Sequence, residues 1–265
     1  MKDLSQFLST AEEAARNGGR VLEEWAGKFT AREKSPANLV TEADLASEQA
    51  IFETIRSRYP DHGFLGEEGL SEDQGDSPYR WIIDPLDGTS NYVHRFPYYA
   101  VSIGLERAGE LVLGVIYDPT RDEMYSAVTG EGATLNQRKI SVSTIADLPQ
   151  AMCMASLPIK ADRDDVAIRR FLDMIQKAQT VQRTGSAALN LCAVACGRIE
   201  AFWSTSLKPW DMAAGVVIVR EAGGIVTTCS DENFSVYEPN LLATNGAPLH
   251  QSITEALCVA SKPTE

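Results

Sequence analysis

The sequence predicts a layered α/β fold, and three features carry that expectation. The chain opens on an amphipathic helical stretch, its middle holds strand-like runs separated by turn signals, and its second half alternates short apolar strands with helices. Leu4, Phe7, Leu8, Ala11, Ala15, Leu22 and Trp25 recur mostly at three- and four-residue steps, so a helix is expected from about residue 3 to 26, covering one side of a sheet. The segment E-K-S-P-A-N-L-V-T-E-A-D reads as a loop feeding a second helix, which starts at Thr41 and ends near Tyr59, where Pro60 stops it. Thr41 and Asp44 are spaced as a capping box, which gives Asp44 a purely structural reading. G-F-L-G-E-E-G then reads as a short strand with Glu67 and Glu68 at its end, followed by the polar tract S-E-D-Q-G-D-S-P. Adjacent residues of an extended chain point to opposite faces, so one of the two glutamates can face the stretch that follows while the other faces solvent.

That stretch is W-I-I-D-P-L-D-G-T-S-N, Trp81 to Asn91. A short apolar run ends in Asp84, Pro85 turns the chain, Asp87 follows, and Gly88 and Thr89 open a helical turn. Two carboxylates at about 4 Å repel by roughly 4 kcal/mol at an effective dielectric near 20. Placed at the end of a buried strand, they suggest a hard divalent cation such as Mg²⁺, which takes carboxylate and phosphate oxygens. A strand followed by a D-G turn is the plainer alternative.

Beyond Asn91, Y-Y-A-V-S-I-G-L-E, L-V-L-G-V-I-Y-D and E-M-Y-S-A-V read as the strands of an antiparallel meander, with turns at A-G-E and D-P-T-R-D. Leu135 to Pro149 is polar and loop-like, a seam between an N-terminal α+β half (about 1–145) and a C-terminal α/β half (about 146–265). In the second half a helix is expected near Val166 to Lys177. It is followed by a strand T-V-Q-R-T, a buried helix over G-S-A-A-L-N-L-C-A-V-A-C-G and a strand I-E-A-F-W. A further helix has Asp211 at its start and Gly223 or Gly224 as its stop, and strands I-V-T-T and L-L-A-T lead to a last helix around Ala247 to Ala260.

Composition narrows the function. The chain has 265 residues and a net charge of -13, from 37 acidic and 24 basic residues, which disfavours a broad nucleic-acid or anionic-membrane surface. Cys153, Cys192, Cys196, Cys229 and Cys258 include no C-x-x-C pair and read as reduced thiols of a cytoplasmic protein, Cys192 and Cys196 lying one helical turn apart on a buried face. His62, His94 and His250 lack zinc-ligand spacing. The N-terminus has no apolar signal core, and no apolar run approaches the ~20 residues of a membrane span.

G-E-E (66 to 68), D-P-L-D-G-T-S-N (84 to 91) and W-D-M-A-A-G (210 to 215), in this order and spacing, together resemble the three signatures of the inositol monophosphatase family of Mg²⁺-dependent, lithium-sensitive phosphatases. K-S-P-A-N-L-V-T-E-A-D, N-Y-V-H-R-F-P-Y-Y-A-V-S-I-G and R-E-A-G-G extend the resemblance over nearly the whole chain. It implies a five-layered αβαβα sandwich, a homodimer, and an active site between the two halves. It further implies metal ligation by Glu67, Asp84, Asp87, Asp211 and the Leu86 carbonyl, and an attacking water oriented by Thr89 and Asp44, with Glu67 beside it. The Gly88 and Thr89 amides would hold phosphate next to Asp87, and Gly185, Ser186 and Ala187 would face the substrate alcohol. The residues themselves agree. A helical turn opening on glycine offers free N–H groups to an anion, and clustered carboxylates suit two or three Mg²⁺ ions that neutralise phosphoryl oxygens, lower the pKa of a bound water and stabilise the leaving alkoxide.

The match departs at Ser204, seven residues before Asp211, where inositol-specific members usually carry a glutamate that grips the ring hydroxyls. An uncharged serine leaves hydrolysis intact and the identity of the alcohol open. Inositol 1-phosphate is the first expectation. Histidinol phosphate, fructose 1,6-bisphosphate and 3'-phosphoadenosine 5'-phosphate are the alternatives, and Lys208 is a candidate contact for a second anion. A different class also follows from the resemblance, because some bacterial members act as partners of the transcription machinery.

Overall fold

The computed structural model describes residues 4–35, 38–73 and 75–260. The first helix, α1 (Leu4–Trp25), buries Phe7, Ala11, Ala14, Ala15 and Leu22 along one stripe. The expected loop that follows is in part a hairpin, β1 (Arg32–Ser35) paired antiparallel with β2 (Asn38–Val40); Pro36 and Ala37 lie outside the described residues. Helix α2 (Glu42–Arg56) starts on the expected capping box: the Thr41 hydroxyl accepts the Ala43 N–H, and the Asp44 carboxylate accepts the Thr41 N–H. Its last residue is three short of Tyr59.

Strands β3 (Gly63–Gly66), β4 (Ser71–Glu72) and β5 (Tyr79–Asp87) lead into the one-turn helix α3 (Thr89–Val93). The meander is β6 (Ala100–Arg107), β7 (Glu110–Asp118) and β8 (Glu123–Val128), extended by β9 (Gly132–Leu135) and β10 (Arg138–Lys139). These strands form an 8-stranded sheet in the order β10-β9-β8-β7-β6-β5-β3-β4, in which only β3 and β5 run parallel.

The second half supplies β11 (Met152–Ala155), α4 (Val166–Lys177), β12 (Thr180–Gln182), α5 (Ala187–Ala195), β13 (Ala201–Ser204), α6 (Pro209–Glu221), β14 (Ile225–Thr227), β15 (Leu241–Thr244) and α7 (Leu249–Val259). Its sheet has 5 strands in the order β12-β11-β13-β15-β14. Strand β11 had no counterpart in the sequence reading; M-C-M-A is too short to show a period and follows a polar stretch.

The strand period of two sorts side chains into layers. On β5, Trp81 and Ile83 join the core under α1 and α2, while Ile82 joins the core under α5 and α6. On β13, Phe202 faces that same α5/α6 core, and Ala201 and Trp203 face a third core shared with residues of α4 and α7. Helices α1 and α2, the large sheet, α5 and α6, the smaller sheet, and α4 with α7 thus stack as the five-layered αβαβα sandwich. Helices α5 and α6 are apolar all round because sheets cover both their faces: every residue of α5 is buried.

The approach of α6 to the large sheet requires glycine on β7. A β-carbon on Gly114 would lie 2.2 Å from the Ala214 carbonyl oxygen, a backbone atom that cannot rotate away. Gly114→Ala is therefore expected to cost about 1–3 kcal/mol through overpacking, read as a lower denaturant midpoint at unchanged slope. An unchanged midpoint would show that α6 shifts freely.

Candidate active site

Parallel pairing of β3 with β5 puts Gly66 opposite Ile83, and the Glu67 N–H donates to the Ile83 carbonyl at 3.2 Å. Glu67 therefore lies beside Asp84 at the ends of two neighbouring strands. After Asp84 the β5–β6 register slips by a bulge across Asp84 to Asp87, which leaves the Pro85–Leu86 pair free to bow out. Ser47 on α2 holds the bow by donating to the Pro85 carbonyl at 3.0 Å, and the Asp84 carboxylate accepts the Leu86 N–H at 3.0 Å.

Asp87 is held by the other half of the chain. Its carboxylate accepts the Ser186 hydroxyl and the N–H groups of Ala187 (3.2 Å) and Ala188 (2.8 Å), the first turn of α5. A carboxylate from the large sheet thus satisfies orphan donors at the start of a helix 100 residues away in sequence. Asp211 sits on the first turn of α6 and accepts the Lys208 N–H at 2.7 Å, so its capping role is real and occupies one oxygen.

These elements deliver Asp84, Asp87 and Asp211 to one place, with one oxygen of each within 4.8 Å of the others. Asp84 is 1% exposed and Asp87 7%. Among the described residues no lysine or arginine pairs with any of the three. Burial raises the Asp84 pKa well above the usual range, with the charges of Glu67, Asp87 and Asp211 adding to the shift. Burial likewise raises Asp211 to about 8, with the Asp87 charge contributing. It lifts Asp87 only to about 6, because the three α5 hydrogen bonds favour its ionised form. Converging oxygens, buried carboxylates and, among the described residues, no ion-pair partner fit a hard divalent cation.

Thr89 bridges to a fourth carboxylate. Its hydroxyl lies 3.3 Å from Asp44 Oδ1 and 3.2 Å from the Leu86 carbonyl, while Asp44 Oδ2 is taken by the Thr41 N–H and hydroxyl. Asp44 accordingly serves both the capping box and this bridge. Gly88 precedes α3 with a φ of 97°, and a β-carbon there would lie 3.0 Å from the Tyr98 carbonyl, so both its conformation and its packing call for glycine.

A pocket of about 160 Å³ lies against the cluster, with Asp87, Asp211, Gly185, Ala187 and Arg183 among its walls. Ser204 is absent from those walls: it is fully buried, with its hydroxyl 3.4 Å from that of Ser206. Lys208 is exposed and also outside the lining. A larger surface hollow of about 770 Å³, between Arg56–His62 and Ser77–Tyr79, does not reach the carboxylates.

Two residues near the site escaped the sequence reading. Glu48, buried on α2, accepts the Glu68 N–H at 3.0 Å, and its carboxylate oxygen occupies the space that a β-carbon on Gly66 would need. Its four-residue spacing from Asp44 on one helix face was the available signal. Arg183, just ahead of G-S-A, carried no signal beyond its neighbours. Two histidines lie elsewhere: His62 accepts the Trp81 indole N–H at 3.1 Å within an aromatic stack, and His250 bonds Thr227, Thr244 and Asp231, while His94 follows the last residue of α3. All five cysteines are free.

A small pocket beside clustered aspartates, between the helices and sheets of an αβαβα sandwich, fits a class, the metal-dependent phosphomonoesterases. The chain belongs to the inositol monophosphatase family, whose model matches residues 3–262. It is 42% identical over 258 residues to an inositol-1-monophosphatase of Synechocystis sp., covering 96% of this chain and 90% of that protein. A Nus factor SuhB of Pasteurella multocida is 40% identical over 84% of this chain and 85% of its own. Among solved structures, the inositol monophosphatase of Anabaena (Nostoc) sp. superposes with a TM-score of 0.87 at 39% identity, covering 97% of this chain and 96% of that one.

The buried aspartates set a pH signature. The folded chain holds protons that the unfolded chain, titrating near 3.8, releases, so this contribution to stability is fully present below about pH 4 and is lost as pH rises through about 6 and 8. The metal-free protein should melt at a lower temperature at about pH 8.5 than at about pH 5, and a divalent cation should reverse the loss. Thermal melts in chelator across that range check this, and a flat or rising profile would contradict it.

Proposed function

We propose that this pocket hydrolyses small phosphate monoesters, inositol 1-phosphate first among them, with Mg²⁺ as its metal at two or three ions per site. The observation that carries the reading is the convergence of Asp84 and Asp87 on β5 with Asp211 on α6, with no ion pair to any of the three among the described residues. Glu67, Asp84, Asp87, Asp211 and the Leu86 carbonyl would hold the metal, which when bound neutralises phosphoryl oxygens and makes a water more acidic.

The chain's own groups divide the remaining work. Thr89 Oγ1, donating to Asp44 Oδ1, keeps its lone pairs for a hydrogen of the attacking water, and the Thr89–Asp44 pair takes up that proton. Because Asp44 Oδ2 is already saturated, the proton has one oxygen of that carboxylate to reach. Glu67 borders the same water from the end of β3. The N–H groups of Gly88 and Thr89, at the start of α3, receive phosphate oxygens next to Asp87. Gly185, Ser186 and Ala187 border the alcohol, and Ser186 also orients Asp87. Ser204, buried and neutral, offers a polyol no carboxylate grip, so the alcohol is selected by other residues.

Lithium sensitivity, a homodimer and a cytoplasmic location accompany this reading as expectations from the family resemblance. Among the described residues no helix is long and apolar enough to cross a membrane. Similarity to a protein named Nus factor SuhB supports a second reading, a partner of the transcription machinery. The intact carboxylate set favours catalysis as the primary role, and the net charge of -13 disfavours direct RNA contact.

Asp84→Asn and Asp211→Asn should each lower Mg²⁺-dependent phosphate release from inositol 1-phosphate by at least about 100-fold, and excess chelator should abolish the wild-type rate. Turnover near normal in either variant would refute the ligand assignment. Thr89→Ala and Asp44→Asn should cost similar factors, and the double variant little more, since the pair acts as one unit; fully multiplicative losses would separate them.

A further inference from the structure

We propose that Arg183 sets the charge preference of the substrate's alcohol portion, favouring phosphate monoesters that carry a second anionic group and disfavouring those that carry an ammonium. The proposal rests on the phosphomonoesterase reading and deepens it.

Among the described residues, Arg183 is the only cation lining the pocket. The other ionisable lining groups are Asp87 and Asp211, which that reading commits to metal. The rest of the wall, Ser156, Leu157 and Leu207 with the Gly185 and Ala187 backbone, is uncharged. Ser204 is sealed away and Lys208 lies outside the lining. Among the described residues Arg183 is thus the one lining group able to meet the net charge of whatever sits beyond the phosphate.

Arg183 is exposed, and among the described residues none forms an ion pair, hydrogen bond or ring contact with it, although the chain has 37 acidic residues against 24 basic ones. Other arginines have found carboxylates: Arg16 with Asp122, Arg56 with Glu72, Arg58 with Glu13, Arg121 with Asp118 and Arg198 with Glu123. An unpaired arginine on a pocket wall, in an acid-rich chain, keeps its planar fork available for a carboxylate or phosphate.

Its backbone is fixed on both sides. Upstream, β12 pairs in parallel with β11, Met154 opposite Gln182. Downstream, the Thr184 carbonyl accepts the Asn91 side-chain amide at 2.9 Å, and Ser186 is bound to Asp87. Arg183 thus extends from a short arc pinned to the first half of the chain and to one of the candidate metal carboxylates.

The test compares kcat/KM at saturating Mg²⁺ for fructose 1,6-bisphosphate, inositol 1-phosphate and histidinol phosphate, whose alcohols carry an anion, no charge and a cation. In Arg183→Ala the ratio of the bisphosphate to inositol 1-phosphate should fall about 10-fold or more, and further in Arg183→Glu. Arg183→Lys should recover part of it, because the charge returns without the fork. The ratio of histidinol phosphate to inositol 1-phosphate should rise in Arg183→Glu, and all these shifts should shrink at high salt. Melting curves identify any variant that fails to fold, and Arg183→Lys then carries the comparison. Ratios unchanged in Ala and Glu variants of an active enzyme overturn the proposal, as does an equal loss on all three substrates, which would place Arg183 on the shared phosphate. A wild-type protein that releases no phosphate from any of them removes the phosphatase reading and this inference with it.

Discussion

Three aspartates within 4.8 Å of one another, in a setting where burial pushes their pKa values upward, are a conflict that the rest of the molecule must hold in place. Left to itself a chain would separate such groups. Here each is fixed by a different element: Asp84 by the end of β5, Asp87 by the α5 N-terminus, Asp211 by the first turn of α6. A bound cation would offset the repulsion that remains.

The sandwich supplies the rigidity for this. Helices α5 and α6 lie between two sheets, buried almost throughout, so their N-termini cannot drift. Both starts point chemistry at the same pocket, one donating N–H groups to Asp87 and the other carrying Asp211. Gly104 and Gly114 let the α6 backbone settle against the large sheet, where β-carbons would collide with Ala213 and Ala214. Packing density and metal geometry are therefore set by the same contacts. Capping and the candidate site share a residue: Asp44 closes the capping box of α2 with one oxygen and meets Thr89 with the other, so its structural role leaves an oxygen for the proposed one. Glu48, one turn further along α2, steadies the G-E-E corner through the Glu68 N–H.

The resemblance in the sequence pointed to the family, the layered fold and the aspartates that the structure brings together, because those depend on local signatures: apolar periodicity, caps, and carboxylates beside glycine turns. The α2 capping box, the meander and α4 were all legible at nearly residue precision, since each is specified by its own short stretch. Very short strands, and residues whose partners lie far away, were harder to read. The β1–β2 hairpin and β11 have little period to show, and β11 becomes a strand only by pairing with β12 and β13.

By itself the sequence determined the elements with a clear period or cap and which side chains are chemically able to bind a metal, because propensity and residue chemistry are local properties. Only the tertiary structure decided that Asp87 is held by α5, that Ser204 is sealed inside while Arg183 lines the pocket, and that Glu67 sits next to Asp84. Those relations come from strand register and from helices wedged between sheets, where groups up to 100 residues apart meet because burying apolar faces leaves them no other place.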